Sequence, residues 1–309
     1  MTIRTRWSTI AVMIAVSLGW GCSFLLIRES LLVTDAYGVA FGRVALGAVV
    51  LGMIPTARQR VPLRAWPGLG GLAVTWMAVP MVLFALAERG VSSATAGMIN
   101  GSAPVFTAIV AAVLTRTAPG RQRLLGLLLG VLGVAAIGLP GAAQGAGAPL
   151  GVVLVLMAVA VYGVAFNITG RLQREHGALP VIWRSMIIAT LLLAPVGLPD
   201  LLDAQPVPHG ILALVLLGGV STAACFALFA WLAGTLDPTR ASVVTYAVPV
   251  VALLVGVLLG GESAHALALA GVVLIAAAAY LVQRPEARRS RPTTEDHPPD
   301  RGHRVGRNA

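Results

Sequence analysis

Ten apolar stretches, each about 20 residues long, limit what this chain can become. They run roughly over 9–28, 36–55, 67–87, 93–114, 122–140, 148–170, 180–197, 210–234, 239–260 and 264–283, the third and eighth being the least cleanly bounded. As helices, stretches of this length match the hydrocarbon core of a bilayer. With 57% hydrophobic and 11% charged residues, a soluble globule of 309 residues is excluded. A spanning barrel would show short alternating strands instead. The reading is an all-α integral membrane protein with ten transmembrane helices. The first stretch is too long for a signal peptide and lacks a clear small-residue cleavage site, so it reads as a retained span.

The net charge of +10 raises the question of nucleic acid, and the placement of the charges answers it. All 22 positive residues are arginine. With the N-terminus in the cytoplasm, the inner segments carry Arg4 and Arg6, then Arg58, Arg60 and Arg64, then Arg116, Arg121 and Arg123, then Arg171 and Arg174, then Arg240 and the tail arginines from Arg284 onward. The outer connections hold only Arg28 and Arg89. This is the positive-inside pattern, and it places both termini in the cytoplasm. No nucleic-acid partner is expected. The partners are the lipid bilayer and a small-molecule substrate, and a homodimer is left open. Cys22 and Cys225 both fall within spans, with neither a disulfide framework nor metal-ligand spacing.

The fourth stretch has an echo. Shifted by 145 residues, Ala96 falls on Ala241, Pro104-Val105 on Pro249-Val250, Val110 on Val255 and Leu114 on Leu259. The match continues from Leu124, Gly126 and Leu129 onto Leu269, Gly271 and Leu274. The shared proline is the informative part, because proline is costly inside a helix. Pro104 deprives the carbonyl of Asn100 of its donor, and Pro249 does the same to Thr245. Backbone groups freed at membrane depth need protein or water partners. Asn100 and Thr245 are therefore candidates to face a substrate, or to cap these breaks locally. Ser93, Gly97 and Gly101 recur every fourth residue and permit close helix approach.

Two further pairs recur. Gly21 and Phe24, in Gly19-Trp20-Gly21-Cys22-Ser23-Phe24, fall on Gly163 and Phe166 of Tyr162-Gly163-Val164-Ala165-Phe166 at an offset of 142. Glycine beside aromatics either lets helices pack or lines a cavity with rings and bare backbone. Arg43 falls on Arg184 at an offset of 141. An arginine within a span snorkels to the interface, pairs, or faces a water-filled cavity. Five spans per half is odd, so the second half enters with reversed orientation. Arg43 then lies near the outer face and Arg184 near the inner face. Inverted repeats of this kind are a common basis for alternating access, with the site between them near the midplane.

The Trp20–Phe24 cluster resembles the first span of the EamA branch of the drug/metabolite transporter superfamily. The arginine just inside the second span of each half is similar to the same pattern. The resemblance covers nearly residues 9 to 283. It implies a secondary transporter, with export of amino acids or related metabolites as the substrate class. EamA halves usually carry a glycine-glutamate pair after the fourth span. The second half keeps it as Gly260-Gly261-Glu262, whereas the first half has Thr115-Arg116. A helix-terminal or loop role for Glu262 is therefore expected.

The expected organisation is a basic arm (1–8), a first five-helix repeat (9–140), a linker (141–149), a second repeat (150–283) and a disordered tail (284–309). The expected function is transport of an amino acid, related metabolite or drug-like molecule across the inner membrane, outward, by alternating access. A lipid or carrier-lipid flippase or scramblase is the alternative. The expected substrate-binding residues are Trp20, Phe24, Arg43, Asn100, Pro104, Tyr162, Asn167, Arg184, Thr245, Tyr246 and Pro249. Glu88 and Arg89 read as a solvated pair at the outer surface. Asp200, Asp203 and His209 read as a solvated turn, with a weak suggestion of a metal site. Asn167 reads as a cavity group or a helix–helix hydrogen bond. There is no phosphate cradle with lysine and no nucleophile–base constellation, so neither ATP drive nor enzymatic activity is expected, and no cofactor.

Overall fold

The computed structural model describes residues 3–116, 120–142, 148–235, 243–263 and 265–283. The expected turn at 236–239, Arg240, most of the linker (143–147) and the tail from 284 lie outside these residues. Among the described residues the regular structure is entirely helical. The α-helices are α1 (Ile3–Ser30), α2 (Ala36–Gly52), α3 (Trp66–Leu72), α4 (Val79–Ala87), α5 (Ser93–Asn100), α6 (Ala103–Thr115) and α7 (Arg121–Ala142). They continue as α8 (Ala148–His176), α9 (Ala178–Leu202), α10 (Pro208–Leu216), α11 (Cys225–Thr235), α12 (Val243–Leu258) and α13 (Ala266–Gln283).

Five helical runs are long and apolar enough to cross a membrane: Thr9–Ser30, Leu63–Ala87, Ala148–His176, Ala178–Leu202 and Pro208–Leu232. α5 and α6 form a sixth candidate, bent by 41°. Ala36–Gly52, Val244–Leu258 and Ala266–Val282 are shorter apolar helices. Leu63–Ala87 and Pro208–Leu232, from the third and eighth apolar stretches, each contain a π-helical segment, Ala73–Ala78 and Leu217–Ala224. π segments insert an extra residue into a turn and are frequent at functional sites.

The two prolines of the echo are not structurally equivalent. Pro104 was expected inside a helix. Instead α5 ends at Asn100, a turn follows at 101–102, and Pro104 sits in the first turn of α6. A missing N–H costs nothing there, because first-turn donors have no intrahelical acceptor. Pro249 lies within the continuous helix α12.

Glycines decide how the first and second halves of the chain meet. A Cβ on Gly97 would strike Ala252 and the Phe24 ring, one on Gly101 would strike Pro249, and one on Gly256 would strike Ala94. As α5 advances, its partners on α12 recede in number, so the echoed stretches pack antiparallel. α7 and α13 do the same, with Gly126 against Val282 and Gly133 against Ile275. α2 and α9 pair likewise: Gly52 faces the Trp183 indole, whose Nε1 donates to the Ala48 carbonyl at 3.0 Å, and Gly197 faces Phe41. Without a hydrophobic driving force between helices in lipid, such small-residue contacts supply the packing. Gly97→Val should lower stability by about 1–3 kcal/mol through overpacking. Gly70→Ala, where no atom lies within 4 Å of the new Cβ, should leave it unchanged or raised. Thermal unfolding of the detergent-solubilised variants checks both.

Candidate functional site

A cavity of about 490 Å³ lies between the helices of the two halves. This is within the usual range for small-molecule sites. Its wall is mostly aromatic and aliphatic. Trp20 and Phe24 come from α1, Trp76 from the first π segment, Phe84 from α4, Tyr162 and Phe166 from α8, and Phe226 from α11. The rings brace one another. Trp76 contacts Phe226 at 5.1 Å and Phe166 at 6.0 Å between centroids, and Trp20 contacts Phe226 at 5.6 Å. Edge-to-face pairs of this kind fix ring orientation. The cavity runs from the exposed Arg123, at the start of α7, to Arg43, which is only 6% exposed.

Arg43 is held from the second half of the chain. Its Nε donates to Thr222 Oγ1 at 2.9 Å, and Thr222 Oγ1 donates to the Leu217 carbonyl at 2.8 Å. Both partners belong to the second π segment, Leu217–Ala224. The guanidinium has five N–H donors, so donors remain for an anionic guest. Asn100 also lines the cavity, and its Oδ1 is buried with no hydrogen-bond partner among the described residues. Pro104 and Thr245 also line the cavity.

Seven of the expected binding residues therefore share one cavity: Trp20, Phe24, Arg43, Asn100, Pro104, Tyr162 and Thr245. Four do not line it. Asn167 Nδ2 donates to the carbonyls of Thr107 at 3.1 Å and Gly163 at 2.8 Å, which makes it a link between α8 and α6. Arg184 lies over the Trp183 ring at 5.5 Å and reaches the Ala57 carbonyl at 3.4 Å, away from the cavity. Tyr246 is half-buried outside the wall. Pro249 packs on Gly101. Trp76, Phe226 and Thr222 were not anticipated. Trp76 and Thr222 lie in π segments, which leave no composition signature, and Phe226 lies two residues past the second.

The end of the cavity beyond Arg43 is closed by polar contacts. The Ser92 hydroxyl accepts from Thr95 N–H at 3.1 Å. Glu262 accepts from the backbone N–H groups of Ser93 at 2.9 Å and Ala94 at 2.8 Å, and from the Ser93 hydroxyl at 2.8 Å. It also takes Arg28 Nη1 at 2.8 Å, and its side chain is 5% exposed. Three orphan donors of α5 are thus satisfied, one by a local cap and two by a carboxylate from the far half of the chain. The negative charge also meets the positive end of the helix dipole. Glu262 therefore holds a helix terminus.

Glu88 and Arg89 do not form a solvated pair. Arg89 turns to Asp35, and Glu88 is buried, 8% exposed, with no hydrogen-bond partner for either carboxyl oxygen among the described residues. Asp200, Asp203 and His209 are not gathered into one cluster. His209 faces Glu29 at 3.8 Å, and no group of three His, Cys, Asp or Glu residues suited to a metal occurs among the described residues.

A profile of the EamA-like transporter family matches residues 7–139 and again residues 149–284. The chain belongs to this family. It is a multi-pass membrane protein and a small-molecule transporter. A relative from Archaeoglobus fulgidus, an uncharacterized transporter, is 24% identical over 90% of this chain and 99% of its own length. A probable terminal-alkyne amino-acid exporter of Streptantibioticus cattleyicolor is 29% identical over 86% of this chain and 90% of its own. A probable amino-acid metabolite efflux pump of Salmonella typhimurium is 25% identical over 85% and 90%. A solved crystal structure superposes with a TM-score of 0.62 at 20% identity, covering 89% of this chain and 96% of that one, and so shares the fold.

Glu262→Ala should remove two backbone caps of α5 and lower stability by about 1–2 kcal/mol. Glu175→Ala, at an exposed i,i+4 pair with Arg171, should change it by under about 0.5 kcal/mol. Thermal unfolding of this EamA protein in detergent distinguishes the two.

Proposed function

We propose that this EamA protein exports an amino acid or a closely related metabolite across the inner membrane by alternating access. The proposed architecture is ten spans in two inverted five-helix repeats, 9–140 and 150–283, joined by 141–149, with both termini in the cytoplasm. The antiparallel cross-half packing and the two profile matches support this architecture. The single observation that carries the function is the cavity. It is aromatic-walled, ends on the buried Arg43, and carries the unpaired acceptor Asn100 Oδ1.

A zwitterion fits these two groups. Its carboxylate meets the guanidinium of Arg43 in a charge-assisted hydrogen bond. Its ammonium donates to Asn100 Oδ1. An apolar side chain occupies the aromatic part of the wall. The names of the Streptantibioticus and Salmonella relatives, an amino-acid exporter and an amino-acid metabolite efflux pump, agree with this class. In this reading the rim at Arg123 is cytoplasmic and the Glu262 end is external, so the cavity faces inward.

Counterflow of radiolabelled amino acids into proteoliposomes tests the proposal. Arg43→Gln should reduce uptake of the transported amino acid at least about tenfold, the equivalent of one lost charged contact of about 1.4 kcal/mol. Arg184→Gln should stay within about twofold, because Arg184 lies outside the cavity. Wild-type uptake of a labelled lipid in place of any amino acid would overturn the assignment.

A further inference from the structure

Glu88 is the first residue past α4, and its N–H donates to the Phe84 carbonyl at 3.0 Å. Its side chain therefore lies one turn beyond Phe84 on the same helix face. Phe84 meets Phe24 edge-on at 5.6 Å and Tyr162 at 5.7 Å between centroids. All three rings line the cavity, next to the carboxyl. On its other side stand Glu262 and Arg28 of the closed end.

The charged groups facing Glu88 are Glu262 from the segment before α13, Arg28 from α1 and Arg43 from α2. Helix α8, also packed on α4, contributes the Tyr162 phenol. Arg89, next in the chain, is engaged by Asp35. No side chain among them hydrogen-bonds either oxygen of Glu88, and the backbone of Arg28 stands beside the carboxyl. A buried carboxylate without hydrogen bonds is costly, and taking up a proton removes the cost. Burial pushes the Glu88 carboxyl well above the usual carboxylate range, and the Glu262 charge pushes it further, while Arg43 and Arg28 pull it back.

We propose that Glu88 is the proton-binding site of the external gate, carrying its proton while that end is closed and releasing it to the external solution when the end opens. The reaction is dissociation of the carboxylic acid to carboxylate and one proton, reversed on closing. The sign follows from the raised value in the closed state. Closure is favoured at low external pH and is lost as the pH rises through that value. The inference rests on the alternating-access reading above and adds what sets its equilibrium.

The test uses a Cys22→Ala, Cys225→Ala background carrying Ser23→Cys on the cavity wall, in right-side-out vesicles exposed to a membrane-impermeant maleimide. Labelling from outside, divided at each pH by labelling of the same protein unfolded in detergent so that the growing thiolate fraction cancels, should rise about fivefold or more as the external pH is raised from about 6 to about 9. Adding Glu88→Gln should leave it low and flat across that range. Glu88→Asp should restore the rise. Equal labelling of all three from the cytoplasmic side, in inside-out vesicles with the external face held at about pH 6, shows that each is folded. An unchanged pH profile in Glu88→Gln, or a flat profile in the Glu88 background with labelling present, overturns the proposal and leaves the transporter reading intact. Absence of external labelling at every pH in every background, with labelling from the cytoplasmic side, overturns alternating access and the Glu88 proposal together.

Discussion

The close approach of Ser93–Asn100 to Val243–Leu258 is the contact on which the rest of the molecule depends. Two backbones can come this near only where side chains are absent, and Gly97, Gly101 and Gly256 provide the clearance. The contact is sealed at one end by Glu262, which completes the hydrogen bonding of α5 from across the chain. It also places Pro249 against Gly101, at the bend between α5 and α6. Asn100, Gly101, Pro104 and Thr245 reach the cavity as a consequence of this one seam.

Charge burial follows a consistent logic along the molecular axis. Arg43 is buried but tied to Thr222, with donors to spare for a guest. Glu262 is buried and saturated by four donors. Glu88, between them, is buried with no hydrogen bond. Saturated charges hold structure, because removing one partner strands the other. An unsaturated one is poised to change state. The surface pairs Arg89–Asp35 and Arg171–Glu175 are solvated and contribute little.

The helical class and the runs long and apolar enough to cross a membrane were legible because apolar length is a local property. The close-packing role of Gly97 and Gly101 was legible for the same reason, as was Arg43, which is costly wherever it lies in a span. What was not legible depends on partners far away in the chain. Glu88 next to Arg89 reads as a surface pair until Arg89 is seen to turn to Asp35, 54 positions away. Arg184 looked like the twin of Arg43, yet Trp183 and the Ala57 carbonyl hold it elsewhere. Pro104 and Pro249 match in sequence but one follows a break and the other lies inside a helix. Whether a helix breaks at a proline is set by what packs beside it, and the sequence of that helix does not contain the answer.

The π segments Ala73–Ala78 and Leu217–Ala224 also act as phase shifters. Each accommodates one residue more than an α-helical turn, so the helix beyond it is rotated relative to the helix before it by about 100°. In Leu63–Ala87, Trp76 lies within the segment and Phe84 beyond it, and both line the cavity. In Pro208–Leu232, Thr222 lies within the segment and meets Arg43, and Phe226 lies beyond it on the cavity wall. Removing a single residue from either segment would keep the rod, its length to within about 1.5 Å and its apolar character. It would nevertheless turn every side chain beyond it to a different azimuth. The membrane would still be crossed, and the cavity would lose one of its walls.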